Sequence, residues 1–227
     1  MTGMRGVIGQ RVMLERLGAR ASRGDVAHAY GIFGPASIGK RTIALRLAQT
    51  LNCLDPKRPA GGCGTCLSCT KIERNIHPDV LLVERDVANQ KLIDIERIRD
   101  MQRDLSLRPL EGRARVVIID DAAELSEPAQ VALLKTLEEP PRHAVLLLLT
   151  LSPESLFETI RSRLQPLMLR SVATAEIGKV ASKADARELV DATLLVQKLR
   201  RDLFWNANAR AMLEILALRL PYVEAIA

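Results

Sequence analysis

Aromatic side chains are scarce in this chain of 227 residues. Phe, Tyr and Trp occur three, two and one times and together make up 3% of the sequence. Leu, Ile, Val and Ala must therefore fill the core, and hydrophobic residues reach 48% in total. The scarcity also argues against a surface on which single-stranded nucleic acid stacks its bases, because such surfaces are built from aromatic rings.

Long hydrophobic runs are missing as well. The most apolar stretch, AVLLLLTL at 144–151, is far shorter than the roughly 20 residues that a membrane-spanning helix needs. The N-terminal sequence MTGMRGVIGQ has no apolar segment of the kind found in signal peptides. We therefore expect a cytoplasmic protein without a membrane partner.

Basic residues outnumber acidic ones, and the formal net charge is +6. Nowhere do five Lys or Arg residues follow one another. A basic excess suits a protein that works near nucleic acid, but it equally describes an ordinary solvated surface. Charge alone does not decide between these two interpretations.

Short apolar runs alternate with amphipathic segments along the first part of the chain. This alternation predicts an α/β fold, with a parallel sheet of five strands flanked by helices. Ser126 is expected to cap one of the helices. The strand pattern ends near residue 172, and 173–227 is predicted to be a short all-helical segment. Strands are predicted at 29–33, 79–84, 115–120, 144–150 and 166–170, and helices at 11–22, 40–53, 93–107, 126–139 and 155–163.

The sequence GPASIGKRT follows the first predicted strand and resembles a phosphate-binding loop. Gly34, Gly39 and Lys40 match the pattern G-x-x-x-x-G-K-[ST], and Lys40 could reach the β and γ phosphates of a nucleotide. Arg41 stands where a hydroxyl normally binds Mg²⁺. Thr42 comes one residue too late, about 100° further round the helix. These residues predict phosphate binding, with weak ATP hydrolysis or none.

The sequence RVVIIDDAAEL places two acids at the end of an apolar strand. Asp120 would hold Mg²⁺ directly or through water, as the acid of a Walker B motif does. Asp121 is a candidate catalytic residue, because it stands where a Glu usually orients the attacking water. It is shorter by one methylene, and catalysis depends on the placement of that water. The alternative is an acid that caps a turn.

All the cysteines of the chain are clustered, at Cys53, Cys63, Cys66 and Cys69. In a cytosolic protein such clustering indicates a metal site rather than disulfides. Four thiolates suit a closed, tetrahedral structural Zn²⁺. An iron–sulfur cluster and free buried thiols are the alternatives, although the spacing lacks the further Cys and the Pro of a ferredoxin motif.

The segment TIRSRLQ contains Arg163 between a predicted helix and a predicted strand. In isolation this arginine would be taken as a surface charge. A phosphate loop in the same domain favours a different interpretation. Arg163 could be an arginine finger that stabilises transition-state charge on the ATP of a neighbouring subunit.

In their order along the chain, these motifs resemble the bacterial DNA polymerase III clamp-loader family, which is a family of AAA+ proteins. The resemblance covers about residues 4–172. It implies an AAA+ P-loop domain at 1–172 with an embedded zinc module at 53–69. It rests on VIGQ (7–10), HAY (28–30), GPASIGKRT, the four cysteines, HPD (77–79), VVIIDDA, ALLKTLEEPP (132–141) and SRL (162–164).

The family contains two related subunit types. The gamma/tau type is the active ATPase and typically has Thr after the loop Lys and Glu after the Walker B Asp. The delta-prime type often has a degenerate nucleotide site but gives an arginine finger to the next subunit. Arg41 and Asp121 resemble the delta-prime type. By position, Arg163 would be the trans finger, the cysteines the zinc site, and Thr150 would sit near sensor 1.

The resemblance also implies partners: gamma/tau and delta subunits, the sliding clamp indirectly, and primed DNA. Family members carry a helical lid and collar, which 173–227 resembles only in shortened form. The alternatives are an active gamma/tau-type ATPase, a zinc-containing nucleic-acid binding module, or a truncated paralogue that does not assemble.

Overall fold

A computed structural model describes residues 10–57, 59–85 and 92–170 of the chain. The segment predicted to be an all-helical tail, 173–227, lies outside the described residues. Within the described ranges, no helix has both the length and the apolar character needed to cross a membrane.

The core of the described domain is a five-stranded sheet, and every strand pair in it is parallel. The strand order is β2-β3-β4-β1-β5, which confirms the predicted α/β class and the predicted number of strands. In a parallel sheet all carboxyl ends meet at one edge, where ligands usually bind. The strands are β1 Ala29–Phe33, β2 Val80–Val83, β3 Arg115–Ile119, β4 Ala144–Thr150 and β5 Gln165–Met168.

Helices cover both faces of the sheet, which explains why its central strands are apolar throughout. Along β3, Val117 and Ile119 pack in one core, while Val116 and Ile118 pack in the other. The helices are α1 Arg11–Ser22, α2 Lys40–Asn52, α3 Leu67–Glu73, α4 Ile95–Ser106, α5 Glu127–Glu138 and α6 Glu158–Arg161.

The structure corrects several details of the sequence-based elements. Helix α3 was not predicted, because its seven residues follow a Gly-rich loop and carry little periodicity. The helix predicted at 155–163 is a short 3₁₀ turn, Pro153–Ser155, followed by α6. Strand β5 is shorter than predicted, because its partner β1 ends at Phe33. Ser126 occupies the N-cap of α5 but forms no side-chain cap hydrogen bond.

Two buried polar side chains hold the segment that leads into β3. The carboxylate of Asp79 accepts three backbone N–H bonds, at 2.7, 2.8 and 2.6 Å, from residues 110–112. The side-chain oxygen of Asn52 accepts the next two, at 2.8 and 3.0 Å, from residues 113–114. Because β3 begins at the following residue, these bonds determine where the strand enters the sheet.

Candidate nucleotide site and cysteine cluster

The phosphate-loop residues lie at the carboxyl edge of the sheet, between β1 and α2. Gly39 is the N-cap residue of α2 and has φ of +92°, a backbone conformation that favours glycine. The ammonium group of Lys40 donates to the carbonyl oxygens of Gly34 and Pro35, at 2.8 and 2.9 Å. Lys40 thus closes the loop on itself in this structure.

A cavity of about 340 Å³ opens beside this loop. Its lining includes five of the residues predicted to bind nucleotide or to act in catalysis, namely Gly39, Lys40, Arg41, Asp120 and Asp121. The other three residues predicted to bind nucleotide, Gly34, Thr42 and Thr150, are not among its lining residues, and neither is Arg163, the predicted trans finger. The hydroxyl of Thr150 is buried and lies 2.7 Å from the hydroxyl of Ser155.

Arg41 bridges two carboxylates at the ends of neighbouring strands. Its Nη1 atom lies 3.1 Å from Oδ2 of Asp120 and 3.1 Å from Oε2 of Glu84. The guanidinium therefore contacts the carboxylate that the sequence predicted to hold Mg²⁺. Magnesium fits this arrangement poorly, because it would need an oxygen of the same carboxylate at about 2.0–2.1 Å and Arg41 replaces the hydroxyl that would be its other protein ligand.

Glu84 is a site residue that the sequence-based reasoning missed. It follows β2 directly, and the β2–β3 register pairs Val83 with Ile119, so Glu84 comes to lie beside Asp120. A signal was present in the sequence, since an acid ends the predicted strand DVLLVE. That signal could be used only once β2 and β3 were known to be neighbours.

Asp121 lies on the rim of the cavity with an exposed side chain. Its backbone is left-handed, with φ of 60° and ψ of 72°, and it precedes the 3₁₀ turn Ala122–Glu124. Asp121 is therefore beside the loop as predicted, but no described contact orients its carboxylate toward the cavity. Its catalytic role stays a prediction.

Arg163 lies at the opposite edge of the sheet, two residues before β5 begins at Gln165. Its Nη1 donates to the carbonyl oxygen of Thr159 and its Nη2 to Oε1 of Glu138, each at 2.7 Å. The side chain is 35% exposed and borders a second cavity of about 620 Å³. A five-residue strand such as β1 is about 16 Å long, so Arg163 does not reach the phosphate loop of its own chain.

The four cysteines form a compact cluster at the end of α2 and the start of α3. The sulfur atoms of Cys53, Cys63, Cys66 and Cys69 all lie within 4.8 Å of one another. A tetrahedral Zn²⁺ with bonds of about 2.3 Å separates its sulfur ligands by about 3.8 Å, and Cys63 and Cys69 are 4.0 Å apart. The arrangement therefore fits a tetrahedral metal ion with four thiolate ligands.

Backbone N–H groups point at three of these sulfur atoms. Cys63 donates to the sulfur of Cys53, Cys66 to that of Cys63, and Cys69 to that of Cys66, at 3.3–3.4 Å. Burial opposes ionisation of Cys63, but backbone N–H bonds from Thr65 and Cys66 outweigh it and lower its pKa to about 6. Burial raises the pKa of Cys53 and Cys69. Metal binding would therefore displace protons from those two thiols.

Gly62 allows the backbone to approach the cysteine cluster closely. A Cβ at this position would lie 2.7 Å from Cβ of Gln49 and 2.8 Å from Sγ of Cys69, and its φ is +75°. We expect Gly62→Ala to cost about 1–2 kcal/mol of stability through its backbone alone, and also to weaken zinc binding by displacing Cys69. Thermal melting and a competition titration with a chromophoric zinc chelator would measure both effects.

Gly24 provides the matched control for that substitution. It has a similar φ of +73°, but nothing lies within 4 Å of the Cβ that alanine would add. Gly24→Ala should therefore carry the backbone cost without changing the affinity for zinc. Equal zinc affinities in the two variants would contradict the close approach at Gly62.

The HPD sequence connects the cysteine cluster to the sheet. Nδ1 of the buried His77 accepts the backbone N–H of Asp79 at 3.1 Å. Its Nε2 must then carry the proton and donate to the hydroxyl of Ser68 on α3, also at 3.1 Å. Burial lowers the pKa of His77, which favours this neutral form. The motif thus has a structural role that its sequence did not reveal.

Comparison with known proteins places the domain in a family. A family model described as "DNA polymerase III, delta subunit" matches residues 9–173. The chain is 38% identical over 154 residues to DNA polymerase III subunit delta′ of Pseudomonas aeruginosa, covering 68% of this chain and 45% of that protein. It is also 38% identical over 171 residues to subunit tau of Escherichia coli, covering 75% of this chain and 26% of that protein.

Solved structures share the fold. A gamma subunit-related protein of DNA polymerase III from Thermotoga maritima has a TM-score of 0.56 at 20% identity, covering 90% of this chain and 57% of that one. RuvB of the same organism, a Holliday junction branch migration motor, has a TM-score of 0.53 at 18% identity, covering 96% and 72%.

The match to the family model extends over most of the chain and includes the phosphate loop, the cysteine cluster and Arg163. The match does not separate the two subunit types, because the identity to delta′ equals the identity to tau. The chain spans about half of the delta′ relative and about a quarter of the tau relative. The chain belongs to the delta′ and gamma/tau clamp-loader family of DNA polymerase III.

Proposed function

We propose that this chain is a delta-prime-type subunit, which does not hydrolyse ATP itself and gives Arg163 to the ATP site of a neighbouring subunit. The observation that carries the proposal is the bridge from Arg41 to Asp120 and Glu84. Its partners would be gamma/tau and delta subunits and, through them, the sliding clamp and primed DNA, in the cytoplasm. The cysteine cluster would hold a structural Zn²⁺.

Hydrolysis in this fold requires a metal ion and an oriented water molecule. Arg41 engages the acid that would hold the metal, and it lies where the hydroxyl ligand should be. Asp121, which stands where the water-orienting acid is expected, has a short and exposed side chain. Both requirements are therefore poorly met, which favours the delta-prime type over an active ATPase.

The position of Arg163 supports an action between subunits. It lies at the edge of the sheet opposite its own phosphate loop, so it can serve only another chain. Bonds to Thr159 and Glu138 hold its guanidinium. An arginine finger gains from such support, because it must meet the transition state without reorganisation.

An active gamma/tau-type ATPase is the second candidate. The observation in its favour is the match to tau, which has the same identity as the match to delta′ and extends over more residues. A zinc-containing nucleic-acid binding module is a third candidate. Strongly salt-dependent DNA binding by the isolated chain would support that candidate.

The proposal is tested by ATP turnover of a clamp loader reconstituted from gamma, delta and this chain, with clamp and primed DNA. We expect Arg163→Ala to remove the share of turnover that comes from the site it serves, because an arginine finger accelerates its site by about 10³–10⁵. Lys40→Ala should leave turnover nearly unchanged. Size-exclusion chromatography must show that both variants still enter the complex.

Arg142→Ala is the matched control in this assay. Arg142 is an exposed arginine two residues before β4 begins at Ala144. It lies at the same edge of the sheet as Arg163, so its loss tests for a general effect of charge. An equal fall in turnover for Arg142→Ala and Arg163→Ala would contradict a specific finger. A fall for Lys40→Ala alone would establish the gamma/tau-type candidate instead.

A further inference from the structure

We propose that Arg41 takes the place of the magnesium ion, so that the cavity beside the phosphate loop binds a nucleoside polyphosphate without a divalent cation. The inference deepens the proposed function, which assigns no ATP hydrolysis to this site, and it rests on that assignment. The contacts of Arg41 with Asp120 and Glu84 support it.

Arg41 lies where the protein ligands of a magnesium ion would be. Mg²⁺ in a phosphate-loop site is held by a hydroxyl on the first turn of the helix and by the acid after a neighbouring strand. Arg41 replaces the first of these ligands, and its Nη1 lies 3.1 Å from Oδ2 of Asp120, which is the second. The guanidinium thus lies between the two positions from which the ion would be bound.

Arg41 also offsets the negative charge beside the loop. Asp120 and Glu84 project from adjacent strand ends, and their negative charges would repel a bound phosphate chain. Arg41 contacts both carboxylates through its guanidinium, a group that carries a positive charge in proteins. It therefore supplies permanently, from within the chain, a positive charge that other sites of this class obtain from solution.

The rest of the loop keeps the groups that bind phosphate. The helix N-terminus of α2 offers backbone N–H groups and a partial positive charge. Within the described residues, the ammonium of Lys40 donates to carbonyl oxygens of the loop, and it can exchange those bonds for phosphate oxygens. The cavity of about 340 Å³ falls within the range of about 300–1,000 Å³ that is usual for small-ligand sites.

A single guanidinium carries one positive charge where the metal carries two. Asp121 adds a further carboxylate on the rim of the cavity. We therefore expect weaker nucleotide binding than in a metal-assisted site. Magnesium should not improve it, because Arg41 replaces the hydroxyl ligand and contacts Asp120, the two groups that would hold the ion.

Calorimetric titration of the full chain with ADP and with ATP tests the inference. Each titration is made once with excess EDTA and once with excess MgCl₂. For the wild type we expect the two affinities to agree within about twofold, while Arg41→Thr should bind at least about tenfold more tightly with MgCl₂ than with EDTA. Arg41→Ser restores the same hydroxyl and replaces Arg41→Thr if circular dichroism shows the latter to be unfolded.

Arg85→Thr is the matched control. Arg85 is a neighbouring arginine that pairs with Glu124 at 3.4 Å and does not line this cavity, so its loss should leave the wild-type behaviour unchanged. A wild type that gains as much from magnesium as Arg41→Thr would overturn the inference. Absence of binding of both nucleotides under both conditions would overturn it too.

These outcomes can be distinguished from failure of the proposed function. The titration uses the isolated chain and reports on its own cavity. The turnover assay with Arg163→Ala uses the complex and reports on a neighbour's site. Metal-dependent binding in the first assay combined with a strong effect of Arg163 in the second would leave the delta-prime assignment intact and remove only the role given to Arg41.

Discussion

Removal of zinc should lower the free energy of unfolding of this domain by about 4 kcal/mol, which is the stabilisation given by a ligand at a thousandfold excess over its dissociation constant. The four sulfur atoms already lie within 4.8 Å of one another, so the folded chain presents the site and the unfolded chain does not. Metal binding then contributes directly to folding.

The loss of stability should extend beyond the cysteines, because the cluster joins two helices, α2 and α3. Cys53 directly follows α2, and Cys69 lies in α3. The buried side chain of Gln49 on α2 donates to the carbonyl oxygen of Cys69 at 2.9 Å. When the metal is lost, α2 and α3 lose one of the links that hold their ends together.

Metal analysis of the purified chain should find one zinc ion per molecule. Thermal melting should then show the loss of stability after treatment with a strong chelator, and in Cys66→Ser. Thr65→Ser, a conservative change at the neighbouring residue, is the control and should melt like the wild type. Two results would contradict the zinc site: a chain that melts identically with and without chelator, or the visible absorption of an iron–sulfur cluster.

Loss of the Asp79 carboxylate should be the other large perturbation. We expect Asp79→Ala to lower the free energy of unfolding by about 3–5 kcal/mol, as removal of one partner from a buried charged network does. The side chain is fully buried and accepts three backbone N–H bonds. Its removal leaves those donors without a partner and frees the segment before β3. Urea denaturation measures the change, and Asp104→Ala, at an exposed position of α4, should stay within about 0.5 kcal/mol of wild type.

The same residue should impose a pH dependence on stability. Burial opposes the ionised form, but the three N–H donors and Arg115 outweigh it and lower the pKa of Asp79. Its stabilisation is therefore complete above the pKa of an unfolded Asp, about 3.9, and is lost as the pH falls through the lower pKa of the folded state. Denaturation curves of wild type should lose stability in that acid range, and those of Asp79→Asn should lose less. Identical slopes would show that Asp79 does not titrate differently in the folded state.

The sequence by itself determined the class of fold and the kind of local chemistry. Apolar runs alternating with helical periods predicted a parallel sheet, because strands covered on both faces must be apolar throughout. The spacing of Gly34, Gly39 and Lys40 predicted the loop, and the spacing of the four cysteines predicted a cluster. Such patterns are local, and the backbone conformations they require follow from the residues themselves.

Only the tertiary structure decided which distant residues meet. Arg41 contacts Glu84 as well as Asp120 because these acids follow β2 and β3, which are neighbours in the sheet. No local sequence pattern encodes that adjacency. Asp79 reaches the segment 110–112 for the same reason, since it directly precedes β2 and that segment leads into β3. The opposite placement of Arg163 and the phosphate loop follows from the parallel direction of β1 and β5. Side chains carry the chemistry, but the order and direction of the strands determine which of them share a site.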